Sequence, residues 1–126
     1  MTGQNLFDKA IDLCGLNSSL YDAPTDISDL AQRSPELINI LLAENSILDC
    51  RIRKTQHELL KIGDLTEELP CSEIVASLVL PYGLARLFMI GEDDLLAETM
   101  EKLYENGKIN ALKFGKAKHL PIKEVY

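Results

Sequence analysis

Ile74-Val75-Ala76-Ser77-Leu78-Val79-Leu80-Pro81-Tyr82-Gly83-Leu84-Ala85-Arg86-Leu87-Phe88-Met89-Ile90 is the most apolar run of the chain. Only Ser77 and Arg86 are clearly polar in it, and Tyr82 and Gly83 are intermediate. A helix that is apolar nearly all round belongs at the centre of a domain or an assembly, so the rest of the chain is expected to wrap around it. Pro81 inside that helix costs about 3 kcal/mol unless the helix bends, and a kink is expected there. Leu69-Pro70 sets up the helix start, after an acidic connector over residues 63–71.

Working outward, Gly91 closes the apolar helix and Glu92-Asp93-Asp94 opens another, since three acids in a first turn complement the helix dipole. Leu96, Met100, Leu103 and Tyr104 make its inward face through about Glu105. Asn106-Gly107 is expected to loosen that helix, and Lys113-Phe114-Gly115 to mark its exit into a tail. Residues 119–126, with Pro121 and the β-branched Ile122 and Val125, read as extended.

Upstream, Ser34, Pro35 and Glu36 form a helix-start signal. Ile38, Leu41, Asn45, Leu48, Ile52, Thr55, Leu59 and Ile62 then alternate steps of three and four, with Asn45 and Thr55 interrupting the apolar seam. The predicted helix covers 35–55, with a run on to Ile62 as the alternative. Residues 15–33 read as a loop with one helical turn near Ile27–Ala31. A first helix from about Asn5 to Cys14 ends at Gly15. The expected fold is all-α: a small bundle of about four helices over residues 1–112, followed by an extended basic tail over 113–126.

Composition bounds the function. The chain has 126 residues, 46% hydrophobic and 26% charged, enough for one domain with a modest core. No apolar stretch approaches the roughly 18–20 residues that cross a bilayer, and Met1 to Asn5 carries no leader pattern, so neither a membrane nor secretion is expected. Cys14, Cys50 and Cys71 are scattered and odd in number, and read as small buried or half-buried hydrophobes. The net charge of −7 is unevenly spread. Residues 1–106 hold 19 acids and 8 bases, whereas residues 107–126 hold five lysines and the single acid Glu124. An acidic body with a basic end is a poor general nucleic-acid binder but suits head-to-tail association. A merely solvated tail is the plain alternative.

Catalytic and cofactor chemistry finds no foothold, and no enzyme activity, cofactor or metal is expected. Cys50 and His57 lie two helical turns apart, roughly 10 Å, too far for a Cys–His pair. His57 and His119 lack partners at zinc-ligand spacing. Glu92-Asp93-Asp94 lacks the remaining ligands of a calcium loop. The glycines are isolated and form no phosphate loop. The segment from Lys113 to His119 has one aromatic, too few for a nucleic-acid stacking platform.

Leu69-Pro70, Pro81-Tyr82-Gly83-Leu84-Ala85, Glu92-Asp93-Asp94, Tyr104 and the closing Ile122-Lys123-Glu124-Val125-Tyr126 together form a pattern of short motifs. Over residues 34–126 this pattern resembles the small helical head–tail connector (adaptor) proteins of tailed bacteriophages and prophages, particularly of Gram-positive bacteria. The resemblance implies a structural virion protein, a ring of about a dozen subunits between portal and tail. DNA would pass through it without sequence-specific binding. It implies the portal protein and a neighbouring tail or stopper protein as partners, and a location in the host cytoplasm during assembly and then in the virion neck. It implies a short second helix followed by an extended link. On that basis Lys113, Lys116, Lys118, Ile122, Val125 and Tyr126 are the candidate docking segment. Tyr82, Arg86 and Tyr104 are candidate subunit contacts, with ordinary core packing as their alternative, and Arg86 is expected to find a carboxylate partner. A competing class is a cytoplasmic regulatory or inhibitory protein whose acidic body mimics DNA.

Overall fold

A computed structural model describes residues 1–16, 24–56 and 58–117, with backbone alone for 24–26, 116 and 117. Among them the chain is all-α and has six helices: α1 (Gly3–Leu13), α2 (Pro24–Glu44), α3 (Ser46–Arg53), α4 (Glu73–Leu78), α5 (Leu80–Met89) and α6 (Asp94–Ala117). The expectation of about four is exceeded because two predicted helices each break in two.

The apolar run divides at Val79, two residues before Pro81, into two helices where a kink in one helix is expected. Pro81 has no N–H to give to Ser77, and it sits instead in the first turn of α5, where that donor is dispensable. The central placement also holds: Val75, Val79, Leu80, Leu84 and Ala85 are fully buried, and α5 packs most extensively against α6 and then α1. Phe7 of α1 meets Phe88 of α5 edge to face, with centroids 5.9 Å apart.

The start of α1 is tied down twice. Thr2 and Asn5 form a capping box, and the backbone N–H groups of Gly3 and Gln4 donate to the carbonyls of Glu67 and Leu65 at 3.0 and 2.7 Å. Gly15, at φ +72°, follows the end of α1 as the sequence predicts.

The second predicted helix is corrected at both ends. Its expected start at Pro35 lies inside α2, which begins at Pro24, so the region read as loop is helical from residue 24. Ser34 is not a cap: its buried hydroxyl donates to the Leu30 carbonyl at 2.6 Å, inside a continuing helix. Pro35 is tolerated because Ile38, Leu41 and Leu42 beyond it bury almost fully. At the other end, Asn45 splits the expected helix into α2 and α3, and Lys54, at φ +57°, stops α3. Residues 58–62 are an irregular link. Asn39 holds it with two bonds, its Nδ2 donating to the Ile62 carbonyl and its Oδ1 accepting from the Ile62 N–H, at 2.9 and 2.8 Å.

Asp49 of α3 anchors the next start: it accepts from the Ser72 N–H at 2.8 Å while Arg53 pairs with its other oxygen at 2.8 Å. Ser72 in turn caps α4 through the Val75 N–H. Asp93 caps α6, accepting from the Leu96 N–H at 3.0 Å, as the acidic turn predicts.

The last correction concerns α6 itself. It neither loosens at Asn106-Gly107 nor exits at Lys113, and the expected boundary between 112 and 113 falls within it. Its glycines serve close approach rather than termination. A Cβ on Gly107 would lie 2.1 Å from the Leu78 carbonyl oxygen, and one on Gly115 would lie 3.2 Å from the Ile52 side chain. The expected extended tail from residue 118 onward lies outside the described residues.

Candidate docking site

Where α2, α5 and α6 meet, Tyr104 is 2% exposed and closes a polar knot. Its hydroxyl donates to Glu44 Oε1 at 2.7 Å and accepts from Asn45 Nδ2 at 2.8 Å. Asn45 Nδ2 also donates to the Leu41 carbonyl at 2.8 Å, so its amide N–H groups are satisfied, while its buried Oδ1 has no hydrogen-bond partner among the described residues. Burial first, and the bond to Glu44 second, push the Tyr104 phenol well above its ordinary range. Lys108 Nζ sits 4.2 Å above the Tyr104 ring and 3.3 Å from Glu105. Outside the knot an open cavity of about 330 Å3 is lined by Glu44, Arg86, Glu101, Glu105 and Lys108, with Tyr104 as its floor.

This geometry sorts the candidate contacts. Tyr104 is a core residue with satisfied bonds, and Gly83 packs on its ring: a Cβ there would fall 2.7 Å from Tyr104 Cε1. Tyr82 is half-buried against the core. Arg86 is half-buried beside the cavity and, among the described residues, forms no ion pair, so the expected carboxylate partner is not found. A guanidinium at a cavity mouth keeps much of its hydration, which removes the compulsion to pair. Lys113 is exposed on α6. The side chain of Lys116 and all of Lys118, Ile122, Val125 and Tyr126 lie outside the described residues, as do His57 and His119.

The sequence reading missed Glu44, Glu101 and Glu105. For Glu101 and Glu105 the signal was available, because Asp94, Glu98, Glu101 and Glu105 follow steps of four, three and four, which places them on one face of α6, whereas nothing in the sequence points to Glu44. All four are exposed. The lysines Lys108, Lys113 and Lys116 occupy the second half of the same helix, so α6 runs from acid to base along about 36 Å.

The thiols remain free. Burial raises Cys14 to about 11 and, with Asp49 adding to the effect, Cys71 to about 12, which makes both poor nucleophiles. The buried Cys50 gives its S–H to the Gln56 carbonyl at 3.4 Å. Among the described residues no group of three His, Cys, Asp or Glu side chains is placed to hold a metal. No described helix is long and apolar enough to cross a membrane.

No family model, curated protein or solved structure matches the chain.

Proposed function

We propose that this chain is a structural subunit of a tailed bacteriophage, a head–tail connector that assembles as a ring between portal and tail. The supporting observation is the polarity of charge: an acidic helical body, and a lysine-bearing second half of α6 that packs along α3 with Lys113 exposed. An acidic surface repels phosphates and lets DNA slide past, while a basic end docks onto the portal or a neighbouring subunit. The helical run through α2 and α3 ends at Arg53 and an irregular link covers 58–62, and this end short of Ile62 adds support, although α2 itself is 21 residues long. In this reading Lys118, Ile122, Val125 and Tyr126, which lie outside the described residues, complete the docking element. Quantitative mass spectrometry of purified particles, induced from the source as a lysogen, tests it. Copy number comparable to the portal is expected; well-covered particles lacking the chain overturn the reading.

One observation favours a second class. The row Asp94, Glu98, Glu101 and Glu105 is a regular file of surface carboxylates, which a DNA mimic needs. A mimic is expected to stay a monomer or dimer under light scattering and to displace DNA from a nucleic-acid-binding enzyme. Rings with or without portal exclude it.

A further inference from the structure

We infer that the acidic first half of α6, with Glu44 beside it, is the surface on which the lysine-bearing end of α6 from a second copy of this chain docks. The inference rests on the reading above that copies associate, and it assigns the acceptor. The apolar edge of this face is uncovered in a single copy: Leu95 is 77% and Ile109 55% exposed, two heptads apart beside the acidic row, whose Glu98 and Glu105 meet only the exposed Lys102 and the half-buried Lys108 of the same helix. Scattered exposed apolar residues need no explanation. Here, though, they flank four carboxylates of one sign on a helix whose other end carries the opposite sign.

Distance selects the occupant. Lys113 lies nineteen residues beyond Asp94 on one helix, about 28 Å along its axis, and about 12 Å beyond Glu105. A continuous helix cannot bend its own last turns onto its first, so Lys113 and Lys116 reach such a row only on another copy. Single exposed ion pairs contribute little, but several in register, with Leu95 and Ile109 leaving water, make a salt-sensitive contact.

Sedimentation velocity on the full chain tests this at low and high salt. Wild-type chain is expected to self-associate at low salt. E98K/E101K and K113E/K116E should each weaken that association about tenfold or more. An equal mixture of the two variants should restore it, because the reversed row then faces the reversed end. Thermal melts of both variants by circular dichroism confirm that each is folded. Wild-type chain that stays monomeric at every soluble concentration overturns the inference, as does unchanged association of E98K/E101K or a mixture that restores nothing. The connector reading fails separately, through absence of the chain from particles, so the two failures are distinguishable.

Discussion

At the scale of single residues the polar knot around Tyr104 ties α6 to the junction of α2 and α3 through one hydroxyl. Tyr104→Phe keeps the ring and its packing on Gly83 but removes the donor to Glu44 and the acceptor of Asn45. Asn45 retains the Leu41 carbonyl and Glu44 can turn to water, so the expected loss is about 1–2 kcal/mol by urea denaturation. A change within a few tenths would show that the knot is incidental. The thiols set the alkaline limit. Cys14 and Cys71 titrate at about 11 and 12 in the fold against an ordinary 9.0. A raised pKa means that the folded state holds its proton more tightly. The associated stability is therefore full below about pH 9 and drains away as pH climbs through the folded-state values, with Tyr104 adding to the same trend. Stability measured by urea at stepped pH should fall above about pH 9, and more shallowly in C14A/C71A. An identical slope in that variant would assign the alkaline loss to Tyr104.

At the scale of elements, the sequence was most legible where local chemistry and burial agree. The acidic capping turn of α6, Gly15 after α1 and the break near Pro81 all follow from local rules. It misled where burial overrode those rules. Ser34-Pro35 is a good start signal, yet α2 runs through it because Ile38, Leu41 and Leu42 continue an apolar face that Ile27, Leu30 and Ala31 begin. Gly107 and Gly115 read as terminators because sequence alone does not reveal what lies opposite them. Gly107→Ala separates the two meanings. As a mid-helix glycine its replacement should stabilise α6 by about 1 kcal/mol. As a contact glycine, with the Leu78 carbonyl 2.1 Å from the new Cβ, it must push α4 from α6 and cost about 2 kcal/mol or more. Loss of stability in Gly107→Ala, with a small gain in the exposed Asn106→Ala, is the expected pair of melts.

At the scale of the whole molecule, charge and its spacing were legible and its placement against other elements was not. Spacing alone puts Asp94, Glu98, Glu101 and Glu105 in one file, but only the fold brings Glu44 beside Glu101 and Glu105. That arrangement makes salt act in opposite directions on two measurements. Within one copy the dominant interaction is repulsion, because 19 acids face 8 bases over residues 1–106. Raising ionic strength from about 10 mM to about 0.2 M shortens the screening length from about 30 Å to below 10 Å, so the melting temperature of the isolated chain should rise. Between copies the proposed contact is attraction between opposite charges, and the same salt should dissociate it. Differential scanning fluorimetry and sedimentation on one salt series give both responses. A rising melting temperature with falling association is the outcome that this charge distribution requires. If association strengthens as salt rises, burial of Leu95 and Ile109 holds the copies together and the carboxylate row is a solvated face.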